Sequence, residues 1–94
     1  MVFEVHHLEG FDWDMRMFNR DVAVHVDENG YYGAFSYEGL KFQTEHYPTV
    51  EEVLHDAIKR LSKKGFSELR SRLNKREDRY LAEREDWVYY KQPV

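Results

Sequence analysis

Five histidines and a run of cations are the residues of this chain with most chemistry to offer. His6 and His7 are neighbours, so on a strand they point to opposite faces and do not chelate one ion together. His25 and His46 fall in separate segments that can approach each other, and His55 falls on a helical segment. There is no His-x-x-x-His pair, no His-Glu-x-x-His motif and no cysteine. No metal ligand set and no cofactor is therefore expected. A general base needs a proton within hydrogen-bond reach and a partner that tunes it. His25 stands close to Asp27 and Glu28, but an acidic turn accounts for both acids. An enzyme would need His25 or His46 in a pocket beside a carboxylate of perturbed pKa. Ser36, Ser62, Ser67 and Ser71 lie in no nucleophile motif, and no glycine-rich phosphate loop occurs. No catalytic residue is assigned, and a non-enzymatic protein is expected.

The charge is unevenly spread. Residues 1–58 hold twelve Asp or Glu against three Lys or Arg, whereas residues 59–79 hold nine Lys or Arg against three acids. Such asymmetry marks partner surfaces as well as ordinary solvated helices. Lys63, Lys64, Arg70, Arg72, Lys75 and Arg76 form the candidate patch for a nucleic acid, with Tyr31, Tyr37 and Tyr47 as rings on which bases stack. Against this stand a sequence pI of about 5.7 and the acids Glu77, Asp78, Glu83, Glu85 and Asp86.

These groups depend on their scaffold. Val2 to Leu8 has strand composition. Phe11, Trp13, Met15 and Met17 recur at every second position, which predicts a strand. Val22, Val24 and Val26 alternate with Ala23, His25 and Asp27. Asn29-Gly30 signals a hairpin, with Val26 facing Tyr32. Tyr31 to Tyr37 and Leu40 to His46 then predict two more strands around a Glu38-Gly39 turn. Thr49 and Glu52 make a capping box. Val50, Val53, Leu54, Ala57, Ile58 and Leu61 form one apolar stripe, and Gly65 ends the helix. Phe66, Leu69, Leu73, Tyr80 and Trp87 follow steps of three, four or seven, predicting a long second helix from Ser67 to about Trp87. Tyr80, Trp87, Tyr89 and Tyr90 are candidate contacts for a homodimer.

The segment Val22-Ala23-Val24-His25-Val26, followed by Asp27-Glu28-Asn29-Gly30-Tyr31-Tyr32, Gly39-Leu40 and Thr49-Val50-Glu51-Glu52-Val53-Leu54, resembles the N-terminal domain of HicB-like antitoxins. The resemblance covers about residues 22–62. It departs from that family in having Tyr37-Glu38-Gly39-Leu40 and His46-Tyr47-Pro48-Thr49 where a Pro-Gly loop and Gly-Asp-Thr are usual, and in having no evident DNA-binding tail. It implies a non-enzymatic domain that binds a small basic toxin-like protein. Asp27, Glu28, Tyr31, Tyr37 and Glu38 are the corresponding partner-binding candidates, since complementary potential guides association.

Ninety-four residues suit a single domain with one modest core. Met1-Val2-Phe3-Glu4 lacks the basic start of a signal peptide, and no apolar run is long enough to span a bilayer. The expectation is one cytoplasmic α+β domain over residues 1–94: an antiparallel sheet of three to five strands packed on one helix, followed by a second long C-terminal helix.

Overall fold

The computed structural model describes residues 1–77, 79–80 and 87–91. Among these residues seven strands form one antiparallel sheet: β1 (Val2–Phe11), β2 (Met17–Asp27), β3 (Gly30–Tyr37), β4 (Leu40–Gln43), β5 (Ser67–Arg76), β6 (Arg79–Tyr80) and β7 (Val88–Tyr89). One helix, α1 (Val50–Lys63), joins β4 to β5. The strand order is β4-β3-β2-β1-β5-β6, with β7 also paired to β5. The chain thus meanders outward through four strands, crosses back over the sheet as α1, and returns beside β1. Among the described residues no helix is long and apolar enough to cross a membrane.

The three strands expected between residues 22 and 46 and the capped helix are present, the third ending at Gln43 rather than His46. Thr49 is the N-cap, and its hydroxyl accepts the Glu52 N–H at 3.2 Å. Val53, Ala57, Ile58 and Leu61 are the buried stripe of α1. Ile58 and Leu61 pack in one cluster with Leu8, Phe18, Val22, Phe35, Tyr37, Phe66 and Leu69. Burying each such side chain is worth roughly 1.5–3 kcal/mol. Glu38 and Gly39 have φ of 47° and 87°, as a two-residue type I′ hairpin turn demands.

Four expectations are corrected. First, the second helix is absent: Ser67–Arg76 is a strand paired along β1. The helical spacing of Phe66, Leu69 and Leu73 coincides with a two-residue alternation of Leu69, Ser71 and Leu73, all buried, against Arg70 and Arg72 on the other face. Long-range pairing overrides the helix-favouring composition here. The part of the expected helix at residues 78 and 81–86 lies outside the described residues. Second, the sheet exceeds the expected three to five strands. Third, the strand expected over Phe11–Met17 is interrupted by a turn. Asp12 is fully buried there and accepts hydrogen bonds from the Asp14 and Arg16 N–H groups at 2.8 and 3.0 Å and from the Tyr37 hydroxyl at 2.6 Å. Fourth, the first hairpin is shifted by one residue: Val26 pairs with Tyr31 and His25 with Tyr32. Gly30 joins β3, while Asn29 donates its N–H to the Asp27 side chain at 2.8 Å.

Gly33 sets how closely α1 approaches the sheet. A Cβ there would lie 2.9 Å from Val53 Cγ1 and 3.5 Å from Val22 Cγ1. The Gly33 N–H donates to the Thr44 hydroxyl at 2.8 Å, and its carbonyl accepts the Thr44 N–H at 2.9 Å. Gly33→Val is therefore expected to lower unfolding free energy by about 1–3 kcal/mol through overpacking. Urea denaturation checks this; an unchanged midpoint would show that α1 does not rest there.

Candidate functional site

The α1-covered side of the sheet is core, and the opposite side carries no helix among the described residues. Register fixes what that open side displays. Lys75 pairs with Val5, Val5 with Ala23, Ala23 with Ala34, and Ala34 with Gln43. These residues share a face, so a row of small side chains crosses the strands, entered at one end by Lys75 and the exposed Tyr80 opposite it. Beside this row, His25 stacks on Tyr32 with centroids 5.0 Å apart and planes 11° apart. Tyr32 also meets the His46 ring at 4.8 Å. On its other side, Arg72, His7 and Asp21 form the neighbouring row. Trp87 covers it, with the Arg70 and Arg72 guanidinium carbons 4.1 and 5.3 Å from its ring centroid.

The acids of this face are engaged. Asp21 lies 3.2 Å from His7 Nδ1. Glu9 accepts Arg70 at 2.6 Å, and this bond holds the Glu9 carboxyl below its ordinary pKa. Asp27 lies 3.0 Å from His46 Nε2, and that bond together with the Asn29 N–H keeps its pKa low. Arg72 and Lys75 have no carboxylate within ion-pair distance among the described residues, and the buried Arg72 Nε has no hydrogen-bond partner.

A second feature lies at the sheet edge. The groove between β4 and the C-terminal half of α1 encloses about 420 Å³, lined by Leu40, Lys41, Phe42, Arg60, Lys63 and Lys64. Phe42 pairs with the buried Phe35, so Leu40 and Phe42 face the helix side and Lys41 the open side. Arg60 is bound to Asp56 at 2.7 Å. Lys41, Lys63 and Lys64 have no carboxylate partner among the described residues. A cleft of about 520 Å³ opens beside Phe11, Met17, Arg70 and Tyr89, but Arg70 there is already bound to Glu9.

The residues singled out in the sequence are redistributed. Asp27, Glu28 and Tyr31 lie at one end of β3, and Tyr37 and Glu38 at the other. Tyr37 is buried and bonded to Asp12; Tyr31 exchanges two backbone hydrogen bonds with Tyr47, both 2.8 Å. The five do not form one surface. The six basic candidates also divide: Lys63 and Lys64 line the edge groove, Arg70, Arg72 and Lys75 lie on the open face, and Arg76 is bound to the buried Glu4 at 2.9 Å. Tyr90 folds inward, with its hydroxyl 2.8 Å from that of Ser71 and its N–H on the Leu69 carbonyl. Tyr80, Trp87 and Tyr89 are spread along the outer side of β5 rather than along one helix face. The Leu40–Phe42 groove and the Ala23–Ala34 row escaped sequence reasoning, although the Leu-Lys-Phe alternation was there to be read.

No group of three or more His, Asp or Glu side chains among the described residues converges as a metal ligand set. The Asp27–His46 pair has no hydroxyl nucleophile hydrogen-bonded to it. Comparison with family models, with curated proteins and with solved structures gave no match for this chain.

His6 is buried between β2 and β5, with Nε2 2.8 Å from the buried Glu4. Burial pushes its pKa below 6.5, outweighing the attraction of Glu4. The unfolded chain therefore takes up the proton more readily than the folded one. Stability is fully present above pH 6.5 and is lost on acidification below it, by at most about 1.4 kcal/mol per pH unit from this group. Denaturation midpoints across that range should fall in the native protein, and His6→Gln should flatten the slope.

Proposed function

We propose that this protein is a non-enzymatic interaction module that takes up an extended acidic segment of another protein along the free edge of β4. One observation carries the reading: the apolar floor of Leu40 and Phe42 lies beside an unpaired strand edge and is rimmed by three lysines without carboxylate partners. An edge strand offers alternate N–H and C=O groups to a further strand. An added strand gains main-chain hydrogen bonds from β4, while its alternate side chains reach Leu40 and Phe42. Its carboxylates on the open side complement Lys41, and an acid at its end on the helix side complements Lys63 and Lys64 at the groove rim.

The charge also selects against the simplest competitor. Two copies pairing through β4 would bring Lys41 of each chain near the other, and like charges across a strand pair are unfavourable. The short edge and its lysine thus suppress self-pairing while leaving an acidic strand welcome. The likeness at residues 22–62 to an antitoxin domain supports an interaction role. The polarity proposed here is the reverse of the one that likeness implies, because the acids do not share a surface whereas the lysines do.

A short peptide alternating Glu or Asp with Val or Ile is the probe. Saturable binding is expected, with β4 amides slowed in hydrogen exchange and affinity reduced about tenfold or more in Lys63→Glu/Lys64→Glu, a loss of about 1.4 kcal/mol. Equal binding of a peptide with Lys in place of its acids, or β4 amides that stay unprotected at saturation, would refute the proposal.

A further inference from the structure

We infer that the open face of the sheet is a second, separate binding site, for single-stranded nucleic acid. Strand register defines its shape. Tyr80, Lys75, Val5, Ala23, Ala34 and Gln43 lie in one row across six strands. Five interstrand steps of about 4.8 Å make a track about 24 Å long. Its floor is low because Val5, Ala23 and Ala34 are small. The flanking rows stand two residues away along each strand, about 6.7 Å on either side. One carries the His25–Tyr32 stack and the other carries His7 and Arg72 under Trp87. The result is a shallow channel between two ring-bearing walls.

The chemistry of this channel fits a strand with planar bases and a phosphate backbone. Aromatic faces stack bases with little regard to sequence, and cations follow the phosphates. Tyr80 is exposed and its ring lies 5.1 Å from Lys75 Nζ, so one end of the channel offers a stacking face and a positive charge together. Arg72 supplies the second unpaired cation, and its Nε lacks a hydrogen-bond partner. Asp21, Glu9 and Asp27, the acids of this face, are each held by His7, Arg70 and His46. Arg70 balances the charge of Glu9, while Asp21 and Asp27 lie outside the central row that carries Lys75. A polypeptide would find few main-chain partners on this face, because the strand hydrogen bonds run within the sheet plane. Duplex DNA is too wide and stiff to lie between walls about 13 Å apart.

The site differs from the β4 groove in the cations it uses: Lys75 and Arg72 lie on β5, whereas Lys41, Lys63 and Lys64 line the β4 edge, so either proposal stands if the other fails. Fluorescence anisotropy with labelled oligo-U and oligo-A at low salt tests it, using the native chain, Lys75→Gln/Tyr80→Ser, and Lys63→Gln/Lys64→Gln. Saturable binding is expected, weakened about tenfold by the first pair and little changed by the second. Two phosphate contacts predict a log–log salt slope of about −1.4. Amide shifts of the native protein should centre on Ala23 and Ala34, which decides the matter even if the first pair fails to fold. No anisotropy change at low salt would overturn the inference. So would loss of binding in the Lys63/Lys64 pair alone, shifts confined to β4, or an acidic peptide that displaces the oligonucleotide.

Discussion

The contact between α1 and Gly33 governs the rest of this molecule. The missing side chain lets Val53 reach the sheet, and the Thr44 hydroxyl and N–H lock the same residue from the side. With the helix seated there, Leu61 and Ile58 fall onto the ring cluster of Phe18, Tyr37 and Phe66, whose rings meet edge-on or tilted with centroids 5.0–5.8 Å apart. Such edge-on contacts add to plain burial. The β1–β2 turn is drawn into the same centre, because Asp12 binds the Tyr37 hydroxyl. Burial alone would raise the Asp12 pKa. The hydrogen bonds from Tyr37 and from the Arg16 and Asp14 backbone outweigh it and keep the carboxyl ionised. One seat for one helix thus organises the core, the turn and the sheet.

The same seat explains what is left open. Among the described residues a single helix covers one face of the sheet, and no helix covers the other. Charge pairs that look like ordinary surface decoration then sort the two surfaces. Where acid meets base, as in Glu9 with Arg70 or Asp56 with Arg60, the group is spent on the fold. Five cations without an acid among the described residues lie beside apolar or aromatic surface: Lys41, Lys63 and Lys64 beside Leu40 and Phe42, Arg72 and Lys75 beside Trp87 and Tyr80. Exposed surface ion pairs add little stability. The unpaired groups are the ones a partner can use.

The legible parts of the sequence were those whose signals are local. Thr49 with Glu52 announced the helix start, the valines of residues 22–26 announced a strand, and Glu38-Gly39 announced a tight turn. The hairpin register slipped by one residue, because Asp27 binding Asn29 moves the turn to Glu28-Asn29 and passes Gly30 to the strand. The Asp12 turn was hidden behind an alternation that its large apolar neighbours happen to keep. The return strand was hidden more deeply. Arg70 finds its acid in Glu9, sixty-one residues away, and nothing in Ser67–Arg76 itself distinguishes charges facing a pleated surface from charges around a helix. The two candidate surfaces were illegible for the same reason: each is assembled from strands that only pairing brings together.

The open-face surface rests on α1 covering one side of the sheet and no helix covering the Val5, Ala23 and Ala34 row among the described residues. Methyl relaxation in the presence of a soluble nitroxide tests it directly. The account predicts strong broadening of the Ala23, Ala34 and Val5 methyls, little broadening of Val22, Val24 and Val53, and a nuclear Overhauser effect between Gly33 Hα and a Val53 methyl. Equal protection of the two methyl sets, or a Gly33 with no contact to Val53, would contradict it.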